Sequence, residues 1–185
     1  MKLMISIAAI ALLAACSPGE PQQASSEPDP AASMPTAEAE APAGAAADEA
    51  PADPKAIVQG VYQAFEYGDI EGVTMSFAPD IVWNEAEGSP YSDGNPYVGA
   101  EAIVTGVFAR LGGEWTYFNA TPEEFIADGD KVAAIGRYRA RNKATEKEMD
   151  IPFVHVWTVV DGAITGFQQY TDTLTHTEVM LADEE

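Results

Sequence analysis

Phe153-Val154-His155-Val156-Trp157-Thr158-Val159-Val160-Asp161-Gly162, running on to Tyr170-Thr171-Asp172, is the stretch whose reading decides the fold. Side chains alternate across a strand, so Phe153, His155, Trp157 and Val159 fall on one face. Asp161-Gly162 is a two-residue hairpin signal and sends the chain back as a second strand alongside the first. A plain hairpin register opposes positions summing to about 323, which sets His155 near Gln168 and Asp172 near Ile151. Gln168, Tyr170 and Asp172 then share a face, and a direct contact between His155 and Asp172 requires a diagonal approach or a bulge. The other face carries Val154, Val156, Thr158 and Val160. An open sheet face normally alternates with polar residues, so apolar residues on both faces predict a homodimer or a partner protein over this strand.

Working outward, Trp115 to Ala127 and Lys131 to Arg141 read as two further strands joined by Asp128-Gly129, and Glu148 to Val160 continues the antiparallel meander. Pro122 and Pro152 belong at strand ends, edges or bulges. Before the meander, Asp53 and Pro54 supply a helix cap and first turn, and Ile57, Val61, Ala64 and Phe65 recur at helical spacing until Gly68. Asp69 caps a short second helix through Phe77, Ile81-Val82-Trp83 is a strand, and Ile103, Val104, Val107, Phe108 and Leu111 form a third helix closed by Gly112-Gly113. The loop from Glu87 to Tyr97 is the longest irregular segment and a candidate rim or lid. These elements predict an α+β domain over 54–185, with a curved antiparallel sheet packed on three N-terminal helices.

The first 53 residues follow another logic. Lys2, an apolar run from Leu3 to Leu13, and Leu13-Ala14-Ala15-Cys16 resemble a bacterial lipoprotein signal over 1–15, with Cys16 as the lipidated residue. In that family, acyl chains on the cysteine hold the protein on a membrane, each buried CH₂ adding about 0.8 kcal/mol. Ser17 after the cysteine, instead of Asp, implies the periplasmic face of the outer membrane if the envelope has two membranes. Residues 17–53 carry seven prolines and eight acids with no Lys, Arg or aromatic residue, a composition that cannot bury a core. Segment 16–53 is therefore expected to be an extended, disordered tether.

Charge narrows the partners. Residues 54–185 hold 22 acids against 8 basic residues, which argues against nucleic acid. The one basic cluster, Arg137, Arg139, Arg141 and Lys143, is expected on a solvated or ion-paired sheet face. His155 and His176 lie apart and Cys16 is assigned to lipid, so no metal cluster is expected. A glycine-rich phosphate loop and a nucleophile elbow are both lacking, and no cofactor is expected.

Several strings then become familiar in order: Ala64-Phe65-Glu66-Tyr67-Gly68-Asp69, Phe77-Ala78-Pro79-Asp80-Ile81-Val82-Trp83, Gly99-Ala100-Glu101-Ala102-Ile103, Phe125 to Val132, and His155 to Gly162 followed by Tyr170-Thr171-Asp172. Together they resemble the SnoaL-like branch of the nuclear-transport-factor-2-like superfamily, which includes ketosteroid isomerases and polyketide cyclases. The resemblance implies a cone-shaped barrel with an internal cavity, often in a dimer. It names no reaction, since the superfamily also hosts many non-catalytic members.

Candidate site residues follow. His155 faces the expected cavity, where burial lowers its pKa and a carboxylate partner would raise it. Resemblance to ketosteroid isomerase places Glu85 where that enzyme has its proton-abstracting Asp, but the tyrosine position holds Val61, with Tyr62 turned about 100° round the helix, and the protonated-Asp position holds His155. Resemblance to the cyclases points to Asp172 with His155 as the acid and base. Trp83, Trp157, Phe108, Tyr170 and Gln168 are candidate ligand contacts in the wall. Binding of a small, largely apolar organic molecule is the first expectation; proton transfer beside a carbonyl and a non-catalytic interaction module are the alternatives.

Overall fold

A computed structural model describes residues 52–183 of the chain, so the signal, Cys16 and most of the tether lie outside the described residues. Helix α1 runs Pro54–Glu66, with the Asp53 carboxylate accepting from the Lys55 amide at 3.0 Å. Helix α2 is Ile70–Thr74, shorter than the periodicity suggests, and is capped by Asp69 onto the Gly72 amide at 2.8 Å. Chain expected to extend α2 instead opens strand β1, Phe77–Asn84. The 87–97 loop holds one 3₁₀ turn, Ser92–Gly94, before the two-residue strand β2, Tyr97–Val98.

A continuous helical run follows, made of α3 (Ala100–Ile103), a π-helical turn (Val104–Phe108) and α4 (Ala109–Glu114). Gly112 and Gly113 do not stop it. The Lys143 ammonium donates to their carbonyl oxygens at 2.8 and 2.9 Å, satisfying helix-end acceptors that would otherwise lack partners. Tyr97 is wedged against this run, and a Cβ added at Gly106 would run into its ring.

Strands β3 (Trp115–Asp128), β4 (Lys131–Asn142), β5 (Glu148–Val160) and β6 (Ala163–Thr171) form the meander, and α5 (Thr173–Glu178) follows where the sequence predicts only a tail. The strand order is β2-β1-β6-β5-β4-β3. Every junction is antiparallel except β1 with β6, which is parallel, so the curved sheet is mixed and not closed. Pro122 sits at a β3 register shift opposite Gly136, where a Cβ would collide with the Thr121 carbonyl oxygen. The sheet bends there because only a glycine admits so close an approach.

One bulge corrects the hairpin register. Val159 pairs with Ile164, but Thr158 pairs with Gly166, so Thr165 has no opposite number. Beyond it every partner moves by one, and His155 lies opposite Gln169 instead of Gln168. A one-residue shift exchanges the two faces of a strand. Phe167 and Gln169 therefore turn inward, while Gln168 and Tyr170 turn outward beside Val156 and Val154.

Alternation along β4 points Val132, Ala134, Tyr138 and Ala140 into the core and leaves the arginines outside. Arg137 and Arg139 both meet Asp150, at 2.5 and 3.2 Å, and Arg141 meets Glu146 at 3.6 Å.

Candidate functional site

The concave face of the sheet, α1 and the 100–114 helical run surround a cavity of about 50 Å³. Its wall is mainly hydrocarbon and aromatic. Trp83 stacks on Phe167 with ring centroids 3.6 Å apart, while Phe108 and Trp157 meet Trp83 edge-on, each at 5.6 Å. Trp83, Trp157 and Phe108 thus line the cavity together, as three of the five expected contacts.

Polar groups interrupt this wall at two places: Tyr62, Glu85, Tyr138, His155 and Gln169 form one group, and Tyr91 and His176 the other. Both nitrogens of His155 meet tyrosine hydroxyls, Nδ1 that of Tyr62 at 2.6 Å and Nε2 that of Tyr138. The Tyr62 hydroxyl also accepts from the Trp157 indole N–H at 3.2 Å, and the Tyr138 hydroxyl accepts from the Gln169 side-chain amide at 3.0 Å. Burial pushes the His155 pKa down to about 3, so the ring is neutral across ordinary pH.

A neutral imidazole donates through one nitrogen and accepts through the other. One tyrosine therefore gives its proton to His155, and the other receives the His155 N–H. The receiving tyrosine already accepts from Trp157 or Gln169, and its own O–H has no protein acceptor among the described residues. Whichever tautomer holds, one hydroxyl proton is left to offer to a molecule in the cavity. Burial raises both phenol pKa values far above the usual tyrosine value, so each hydroxyl keeps its proton.

Glu85 follows β1 directly and is 2% exposed. The Asn95 side chain fixes its backbone from both sides, accepting from the Glu85 amide at 3.0 Å and donating to its carbonyl at 2.8 Å. Burial pushes the carboxyl pKa up to about 7; the Trp83 indole, donating at 2.7 Å, together with the Gln169 amide and the distant Arg110 charge, holds it from rising further. Gln169 donates to the Tyr138 hydroxyl and its own carbonyl oxygen accepts from the Ala86 amide at 3.2 Å, so it joins the tyrosine and histidine chain to the backbone beside Glu85.

Asp172 lies elsewhere. It is exposed and caps α5, accepting from the Thr175 amide at 3.0 Å and the Thr175 hydroxyl at 2.7 Å, bonds that lower its pKa below the usual value. The contact between His155 and Asp172, for which a diagonal approach or a bulge was required, is not made, and the two tyrosines hold the ring instead. Gln168 and Tyr170 are also outside the cavity, by the bulge at Thr165; Tyr170 is 57% exposed.

Three residues of the site are absent from the sequence expectations. Tyr62 is off the expected position by its helical angle, Tyr138 belongs to no motif, and Gln169 takes the place of its neighbour. Tyr138 is within reach of sequence reasoning, because the alternation that places Arg137 and Arg139 outside places the residue between them inside. A fourth, His176 on α5, is buried in the wall at the Tyr91 and Trp115 end.

The 87–97 loop is a pinned rim. Tyr91 is 1% exposed, donates to Glu114 at 2.7 Å and accepts from the Trp115 indole at 2.7 Å, while Arg110 bridges Asp93 and lies 4.7 Å over the Tyr91 ring.

A curved α+β sheet cupping a mostly apolar hollow defines the class, and comparison with known proteins gives the family. The SnoaL-like domain model matches residues 58–167, and the chain belongs to that family. An NTF2-like protein from Burkholderia thailandensis E264 is 35% identical, with a TM-score of 0.66, over 69% of this chain and 97% of its own. TerC, co-crystallised with polyporic acid, is 27% identical, with a TM-score of 0.63, over 69% and 97%. A putative SnoaL-like polyketide cyclase from Jannaschia sp. CCS1 shares the fold at 17% identity, with a TM-score of 0.59, over 70% and 94%. No curated protein matches the chain.

Proposed function

We propose that the cavity binds a small, largely apolar organic molecule through a carbonyl-type oxygen, and that Glu85 exchanges a proton with the carbon beside that oxygen. The observation that carries this reading is a buried carboxyl with its pKa near 7, sharing one hollow with an unspent tyrosine O–H. A general base works best with a pKa near the working pH. A fixed hydroxyl donor stabilises the oxygen on which charge develops. In the proposed step the Glu85 carboxylate takes the α-proton, the C–H electron pair moves into the C–C bond as the carbonyl becomes an enolate, and the tyrosine O–H holds that oxygen. Return of the proton completes an exchange or an isomerisation. The relative co-crystallised with polyporic acid supports an organic ligand.

The test is exchange of the α-hydrogens of butan-2-one in D₂O, with binding followed by NMR shift titration. Wild type is expected to bind the ketone and accelerate exchange, Glu85→Gln to bind it with exchange reduced at least about 100-fold, and Asp172→Asn to match wild type. Ketone binding with exchange untouched by Glu85→Gln would refute the proton-transfer step. Absence of ketone binding would refute the ligand class.

Two further parts of the reading concern placement. The Cys16 pattern supports a lipid-anchored envelope protein, tested by metabolic labelling with a fatty-acid probe in wild type and Cys16→Ala. The outer face of β5 and β6, with Val154, Val156, Val160 and the exposed Tyr170, supports a homodimer, tested by the sedimentation mass of wild type and Val156→Glu.

A further inference from the structure

His176 reaches the cavity from α5. The residue is 1% exposed, and neither ring nitrogen has a hydrogen-bond partner among the described residues. Its neighbours do not serve it: the Tyr91 hydroxyl proton goes to Glu114, its oxygen takes the Trp115 indole N–H and lies outside hydrogen-bond reach of the His176 ring, and Phe118 offers only hydrocarbon. A buried polar group without a partner is costly, and here the cavity is the space from which a partner can come. Phe118 packs against both polar groups of the hollow, its ring centroid 5.0 Å from that of Tyr138 and 6.1 Å from that of His176.

We infer that His176 is a second polar anchor for the ligand, and that the molecule bound carries a hydroxyl group opposite its carbonyl oxygen. The inference rests on the carbonyl-binding reading above. An imidazole kept neutral presents one N–H and one lone pair, pointing away from each other, and a hydroxyl can accept from the first or donate to the second, so it bonds the cavity-facing nitrogen in either tautomer. Burial keeps the ring in that neutral form. The apolar middle of the hollow, with Phe118, Phe108 and Val107, suits the short hydrocarbon linking the two ends.

Matched probes test this. Hydroxyacetone and butan-2-one differ by a hydroxyl in place of a methyl, as do 4-hydroxybutan-2-one and pentan-2-one, one carbon longer. Each is titrated by NMR into wild type, His176→Leu and His176→Gln, with the dispersion of the spectrum reporting that each variant is folded. Expected is a preference of about tenfold for the better-fitting hydroxyketone over its ketone in wild type, equal affinities in His176→Leu, and partial recovery in His176→Gln, whose amide can also donate and accept. Equal binding of both partners by wild type, or a preference that survives in His176→Leu, overturns the anchor while the carbonyl site stands. Failure of all four probes to bind wild type overturns both. A His176→Leu that fails to fold leaves the decision with His176→Gln, where a preference as large as that of wild type overturns the anchor.

Discussion

Replacing Glu85 by Gln should make the protein more stable, and only on the alkaline side. The carboxyl titrates near 7 in the fold against 4.5 when unperturbed, because burial penalises its charge. Between those values the native state holds a proton that the unfolded chain has released, so stability falls as pH rises through the window and the whole penalty is present above pH 7. The separation is worth about 3 kcal/mol. The substituted amide would keep the volume and the acceptor for the Trp83 indole without the charge. The difference in unfolding free energy between Glu85→Gln and wild type should therefore be near zero at pH 4.5 and approach about 3 kcal/mol at pH 8. Urea titrations at half-unit steps of pH read it directly, as a midpoint shift on the order of 1–3 M. Subtracting wild type at each pH removes contributions shared by both proteins. A difference that does not vary with pH would show that Glu85 is already ionised in a wet environment, and the account of its role as a base would fall with it.

Acid stability should be set by the two histidines. His155 and His176 are pushed down to about 3 and about 4 from 6.5, so below pH 6.5 the unfolded chain gains two protons that the native state refuses, against one retained in the other direction by Glu85. Stability is expected to drop by about 1–2 kcal/mol from pH 6.5 to 5, and to stay flat over that interval in His176→Leu; parallel denaturant curves in the two proteins would contradict this. Gly106→Ala should cost about 1–3 kcal/mol, since the added carbon would overlap the Tyr97 ring, and Gly94 already crowds that ring so closely that a Cβ there would overlap it too; an unchanged melting temperature would refute the wedge.

What the sequence made legible was local. Helix caps at Asp53 and Asp69, the Asp-Gly turns and two-residue alternation each depend on neighbours within a few positions, and the strands of the meander follow from them with bounds close to those observed. The parallel contact of β1 with β6 joins segments some eighty positions apart, and no local pattern announces it. Trp83, Trp157 and His155 were legible as wall residues because the strands that carry them were, Phe108 through helical periodicity, and Glu85 only through the resemblance to ketosteroid isomerase. Asp172 was misread for the same local reason: Asp ahead of Thr173-Leu174-Thr175 is a helix-cap pattern, which would also have revealed α5 and carried His176 into consideration. Tyr62 needed the angle of α1 over the sheet, which comes from packing and not from periodicity.

The unmatched Thr165 makes strand register a chemical variable. Its deletion alone would leave Gly166 opposite Thr158 and the wall as it is, but if the bulge were drawn into the ladder, with Thr165 opposite Thr158, Gln168 and Tyr170 would swing toward the hollow while Phe167 and Gln169 faced water. Gain, loss or migration of a bulge in this hairpin would therefore redecorate the chamber wholesale without altering a single lining side chain, a route by which one scaffold can drift between ligands faster than point substitution allows.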